Sequence, residues 1–420
     1  MTSAHLLVSH PGYLDAPPAR RAGLSWIVLL PLTFLSPAHA LEIPYDYHVP
    51  CTPENAIFGH FSPTKKPVIS VPSGAVVRID GGGGRSGAGR AGGGRRGAGV
   101  PGAEAAAITP VAADTDEERN KWYKENGIPL TVDDPVVKEI ARAQKESPNK
   151  LPPPPGSPPG TGVGGHFLIG PIYIQDAEPG DSLEIRILDV TPRLPYGSNS
   201  ASPTGGGLPG VMPRPFSKVY NLDHKRNAAI FDKDVEIPLA PFNGVNATCP
   251  PDSEGPNRRS GPPGLFGGNL DSKDLTTGAT LYLPVYQKGA LFYTGDCHAA
   301  QGDGEIAGDA IGTANTVIYQ FIVHKGKTLK GPRAETPTHY IIYGMDPDLD
   351  EAMKNAMLAT LDFLKEKKGY DMMQAYTLCS AAVDFRVTQV VDKTLGIHGM
   401  IAKKLFVNEP DTYWYRTARF

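Results

Sequence analysis

The sequence predicts a mainly β protein with an α+β C-terminal part: a β-sandwich-like body, with helices late in the chain. Three observations carry this. Short alternating or β-branched apolar runs recur from residue 67 to residue 323, each broken by Gly or Pro. Glycine and proline number 48 and 42 among 420 residues, an excess that favours turns and strands over long helices. The most regular helical periodicity comes only after Asp346.

The elements follow in order. Arg20-Arg21 precede an apolar stretch from Leu24 to Leu35, and Ser36-Pro37-Ala38-His39-Ala40 follows. A basic patch, a short apolar run and a small-x-small end are the anatomy of a secretory signal, here cleaved after Ala40. Residues 1–40 are therefore set apart from the fold. The expected location is secreted or periplasmic if that signal is used, and cytoplasmic otherwise. The apolar run is short for a membrane span and no other segment rivals it, so no membrane contact is expected after signal removal.

Residues 41–80 read as an N-terminal β segment, with strands over Pro67–Val71 and Ala75–Ile79 joined at Pro72-Ser73-Gly74. Residues 81–115 are dominated by Gly, Arg and Ala and cannot bury enough apolar area to offset ordering entropy, so a flexible insertion is expected. Residues 116–330 form the β-rich body. Asp133-Asp134-Pro135 opens one helix in it, through an Asp cap followed by Pro at the first helical position. The proline run from Pro152 to Pro159 reads as a stiff connector. Ile172–Gln175 and Ser182–Val190 alternate apolar and polar around the turn Glu178-Pro179-Gly180-Asp181, and Val317–Val323 adds a further strand. Residues 331–420 are the α+β part. It has a strand at His339–Tyr343 and a helix starting at Asp346-Pro347, with Leu349, Met353, Met357, Leu361 and Leu364 on one face and Gly369 at its end. A second helix over Met372–Ala382 and a strand over Phe385–Val391 complete it.

A formal net charge of −3 argues against nucleic acid as an obligatory partner. The cysteines Cys51, Cys249, Cys297 and Cys379 show no CxxC spacing, which excludes a zinc ribbon or a thioredoxin-type site.

The densest chemistry lies in Gly295-Asp296-Cys297-His298-Ala299-Ala300-Gln301-Gly302-Asp303-Gly304-Glu305. The apolar runs Thr280–Val285 and Ala290–Tyr293 read as strands ending at this loop. In an extended stretch, side chains two apart share a face, so Asp296 and His298 should converge, as should Asp303 and Glu305. Gly302 and Gly304 leave the backbone free to bend there. No Lys or Arg occurs from Thr294 to Thr313, so the acidic groups need another counter-charge, which a bound divalent cation supplies. Cys297 falls on the opposite face, as a buried structural thiol rather than a nucleophile.

These motifs resemble the acetamidase/formamidase family. The segments carrying the resemblance are Gly165–Ile172, Ala177–Asp181, Gly268–Asp271 with Lys273–Leu275, Thr280–Val285, Gly295–Glu305, Val383–Val387 and Gly396–His398, with Ile57–Phe61 near the start. The resemblance implies hydrolysis of a short amide, such as formamide or acetamide, to a carboxylate and ammonia. It also implies β-layers with an α+β portion and assembly as a homo-oligomer. The polar positions on family motifs are His166, Asn269, Asp271, Asp296, His298, Gln301, Asp303 and Glu305. Among these, Asp296, His298 and His166 or Asp271 would hold a divalent metal, zinc on mixed His and carboxylate ligands or calcium if oxygens dominate. Glu305 would act as general base and then acid, Asn269 or Gln301 would orient the amide, and Asp303 would belong to the same catalytic group. Asp271 has a second reading, as the cap of a helix at Ser272-Lys273-Asp274. His60 and His398 fall in matched segments without ligand-like neighbours. The Arg/Gly insertion and the exported N-terminus depart from a cytoplasmic nitrogen-scavenging enzyme. Two alternatives stay open: a metal-free amidase in which Glu305 or Cys297 attacks the carbonyl, and a secreted binding protein of the same fold.

Overall fold

Ser182–Pro192 and Asn315–His324 show how the body is built. They pair antiparallel along their whole lengths. Leu183, Ile185 and Ile187 on one strand, and Val317, Tyr319 and Phe321 on the other, are buried at every second position. That period of two puts one apolar face on the sheet, and the face must be covered. A second sheet covers it: Phe292 packs edge-on against Tyr319 and Phe321, with ring centroids 5.6 and 5.0 Å away. A single core cluster draws on both layers, joining Val77, Leu183, Leu281 and Val317 to Phe167, Ile169, Ile172 and Phe292. This is the face-to-face stacking of a β-sandwich. The computed structural model describes residues 43–83, 115–151 and 165–415. The export signal over 1–40, the Gly/Arg-rich run from 84 to 114 and the connector Pro152–Pro159 lie outside the described residues.

The first sheet has nine strands, in the order Tyr47–Val49, Val76–Asp80, Asn315–His324, Ser182–Pro192, Thr280–Pro284, Arg333–Glu335, His339–Asp346, Leu395–Ala402 and Val383–Gln389. It therefore runs without a break across residue 330. The second sheet has eleven strands, and its spine is Phe292–Ala300, every residue of which is buried. Phe242–Ala247 lies along one edge of that spine. The other edge changes partner, from Phe167–Ile174 beside Phe292–Gly295 to Ile311–Gly312 beside His298–Ala300.

The helix Leu349–Lys368 lies on the strands His339–Asp346 and Leu395–Ala402. Its buried line is Ala352, Ala356, Thr360 and Leu364, while Leu349, Met353 and Met357 sit half-buried at the flank. Gly344 explains the small residues: a Cβ there would lie 2.0 Å from the Ala356 backbone nitrogen, so helix and strand touch nearly backbone to backbone. The cap is Asp348, whose side chain accepts from the amides of Asp350 and Glu351, rather than Asp346. Gly369 ends the helix at φ 72°. Helices also occur at Pro135–Glu146 and Met372–Ala382, and at Asp116–Glu125. The last, with its cap Thr115, was not expected from the sequence, although Thr115-x-x-Glu118 forms a reciprocal capping box. Among the described residues, no helix is long and apolar enough to cross a membrane.

Candidate active site

The segment from Gly295 to Ala300, expected as a loop, is instead the second half of the central strand. Its backbone groups find partners on both sides, which the sequence alone could not show. Gly295 permits this, since a Cβ there would meet the Phe167 carbonyl oxygen at 2.1 Å. The strand is not regular. Pairing with Phe242–Ala247 joins His298 to Phe242, Cys297 to Asn243 and Gly295 to Val245, but skips Asp296, which adopts φ 55° opposite Gly244. Asp296 and His298 nevertheless meet, with Nε2 of His298 3.6 Å from Oδ2 of Asp296.

Asp271 comes to the same point from the turn after Gly267–Asn269. It is fully buried at φ 47°, donates its backbone amide to the Gly244 carbonyl, and places Oδ1 4.0 Å from Nδ1 of His298. No helix follows it, so the capping alternative falls away. One donor atom each from Asp271, Asp296 and His298 lies within 4.8 Å of the others. His166, at the mouth of Phe167–Ile174, stands behind them with Nε2 3.6 Å from Oδ2 of Asp296, and its Nδ1 is 3.0 Å from the Ser260 hydroxyl. The space among these groups exists because residue 244 is glycine. A Cβ there would lie 2.3 Å from Oδ1 of Asp271, 3.0 Å from Oδ2 of Asp296 and 3.2 Å from Cε1 of His298.

The electrostatics are lopsided. Burial, and then the carboxylates of Glu305, Asp392 and Asp296, push the Asp271 carboxyl well above the usual carboxylate range. Burial would lower the His298 imidazole, but Asp296 beside it, with Glu305 and Asp309 further off, outweighs burial and raises it. Both carboxylate oxygens of Asp271 and Nδ1 of His298 are buried without a hydrogen-bond partner. Such atoms are costly unless something else engages them. Two carboxylates and an imidazole round a gap that glycine keeps open suit a small divalent cation.

Glu305 reaches the cluster from the following turn, where donor atoms of Asp271, Glu305 and Asp392 again lie within 4.8 Å of one another. Asn269 donates from Nδ2 to Oδ2 of Asp392 at 2.8 Å, and its Oδ1 is buried without a partner. Gln301 donates from Nε2 to the Asp271 carbonyl at 2.6 Å, and its Oε1 is likewise unpartnered. The structure thus brings together His166, Asn269, Asp271, Asp296, His298, Gln301 and Glu305. It adds Asp392 and Gly244, for which the sequence carried no local signal, because each acts through a partner far away in the chain.

Asp303 goes elsewhere. The expectation that it would share a face with Glu305 assumed an extended backbone, but Gly304 at φ 94° and Glu305 at φ 44° break that periodicity. Gly304 is tied to the end of Val383–Gln389, donating to the Thr388 carbonyl and accepting from the Val390 amide. Asp303 is left facing Lys273, 3.3 Å from its Nζ.

Cys297 points away from the cluster, towards Gly81, where a Cβ would sit 2.8 Å from its Sγ. Burial pushes this thiol up to about 12, so thiolate is scarce at neutral pH. Cys297→Ala should therefore keep kcat/KM within about threefold of the parent, since the thiol packs towards Gly81. A loss above about 10²-fold without unfolding would restore the nucleophile reading.

Residues 163–254 and 254–402 match the acetamidase/formamidase family. A formamidase from Methylophilus methylotrophus is 29% identical over 307 residues, spanning 54% of this chain and 73% of that protein. An acetamidase from Mycolicibacterium smegmatis is 30% identical over 199 residues, 34% of this chain and 49% of that one. Among solved structures, an acetamidase from Bacillus halodurans is similar at a TM-score of 0.63 and 26% identity, covering 86% of this chain and 98% of that chain. With sheets, buried cluster and matched span in agreement, the chain belongs to the acetamidase/formamidase family and is an amidase.

Proposed function

We propose that this amidase hydrolyses short aliphatic amides of the formamide and acetamide kind, and that Asp271, Asp296 and His298, with His166 behind Asp296, hold a divalent cation, zinc before calcium. The observation that carries the proposal is the set of unpartnered atoms on Asp271 and His298 around the gap left by Gly244. When bound, such a cation supplies Lewis acidity and brings the pKa of water to about 7.

The chain's own groups do the rest. An amide resists water because resonance weakens its carbonyl as an electrophile and amide ion is a poor leaving group. Glu305 takes a proton from the attacking water and returns it to the departing nitrogen. It stands beside Asp271 and Asp392, with one donor atom of each within 4.8 Å of the others. The free carbonyl oxygens of Asn269 and Gln301 are acceptors only, suited to the N–H groups of a primary amide. Glu305→Gln should keep bound metal and lower turnover by about 10²- to 10⁴-fold.

The deciding experiment measures metal content together with ammonia release from formamide, acetamide and propionamide, before and after chelation. Chelation that removes metal and turnover together supports the proposal. Unchanged turnover in metal-free protein would sink it and favour direct attack by Glu305. The proposal extends to a homo-oligomer, read by light scattering, and to export after cleavage at Ala40, read by N-terminal sequencing of the mature protein.

A further inference from the structure

We propose a second cation site, separate from the one above, in which Asp274, Asp303 and His398 take a divalent transition-metal ion of the zinc or manganese class. One donor atom from each lies within 4.8 Å of the others. His398 is fully buried, and its Nδ1 is engaged 2.7 Å from the hydroxyl of Thr388, itself buried. That bond turns Nε2 towards Asp274, leaving it 3.7 Å from Oδ2. The separation is too long for a hydrogen bond, and both atoms are buried without a hydrogen-bond partner. A ring held by a hydroxyl at one nitrogen, with the other aimed unpartnered at carboxylates, is how proteins present a ligating histidine. One imidazole and two carboxylates are a donor set for zinc or manganese.

Lys273 is the competing counter-charge. Its Nζ lies 3.3 Å from Oδ1 of Asp303 and 3.8 Å from Oδ2 of Asp274, within reach of both carboxylates. A divalent ion would displace this ammonium, whose four-carbon stem lets it swing aside. The three donors come from separate segments: the turn after Asn269, the turn that carries Glu305, and the strand Leu395–Ala402. A bound ion would therefore clamp the Glu305 turn to the first sheet. The site uses no ligand of the centre proposed above.

The test is metal stoichiometry by elemental analysis after equilibration with zinc or manganese chloride and removal of free ion. The parent chain should bind one equivalent more than His398→Gln. Asp303→Asn, on a solvent-facing turn where the fold tolerates change, should show the same loss. His298→Gln should keep this equivalent, so the two sites fail independently: loss only in His298→Gln overturns the second site and leaves the first. Lys273→Met should tighten the second site about tenfold, because a like charge about 4 Å away is removed. Equal stoichiometry in His398→Gln and the parent, or unchanged affinity in Lys273→Met, overturns the proposal.

Discussion

His298→Ala is expected to lower ammonia release from formamide by about 10³-fold or more and to weaken metal binding by at least about 10²-fold. The imidazole is the one nitrogen donor among Asp271, Asp296 and His298, and it stands between the two carboxylates. Removing it leaves two buried carboxylates with less to hold them, and such burial is costly without a counter-charge. The packing consequence is smaller. His298 lies edge-on to Phe242 at a centroid distance of 5.1 Å, and its carbonyl still accepts from Nδ2 of Asn315 at 3.2 Å. The strand should therefore persist, and the variant should fold with a modest drop in Tm. Parallel kinetics and elemental analysis would check this. A folded His298→Ala protein with parental metal content and kcat/KM would remove the histidine from the centre.

Gly244→Ala should be nearly as damaging, although it deletes nothing. The added methyl would overlap Oδ1 of Asp271 at 2.3 Å and crowd Asp296 and His298. Gly244 is not among the glycines at positive φ, so alanine fits the backbone and the conflict falls on these three side chains. We expect about a 10²-fold loss of kcat/KM and about 1–3 kcal/mol of destabilisation, as for other overpacked sites. Gly302→Ala is the matched control. A Cβ at 302 meets nothing within 4 Å, so activity and Tm should stay near parental values. If Gly244→Ala were equally silent, the gap it is said to preserve would not be a binding space.

Much of this molecule could be read from residue order where the physics is local. Asp134 capping a helix at Pro135, the helix Met372–Ala382 and its stop before Val383, and the alternating strand from Ser182 all depend on neighbours within a few positions. The acidic motif was legible for the same reason, as Asp296 and His298 sit two apart and lack nearby cations. Legibility failed where a distant backbone intervened. Ala352 and Ala356 on the long helix answer to Gly344, and Thr360 to Gly399, in strands that a helical pattern cannot foresee. Spacing groups Asp303 with Glu305, yet the tie between Gly304 and Thr388 turns it towards Lys273.

Residue order by itself determined the β-rich class, the late helices, the family motifs and most of the titratable groups of the candidate centre. Only the tertiary structure decided which of those groups share a space. Strand pairing sets Gly244 against Asp296, and the turn after Asn269 delivers Asp271 between them. The end of Val383–Gln389 then brings in Asp392 and divides Asp303 from Glu305. The physical reason is that periodicity assigns a side chain to a face, whereas a binding centre needs donor atoms a few ångströms apart, and long-range backbone pairing sets that distance.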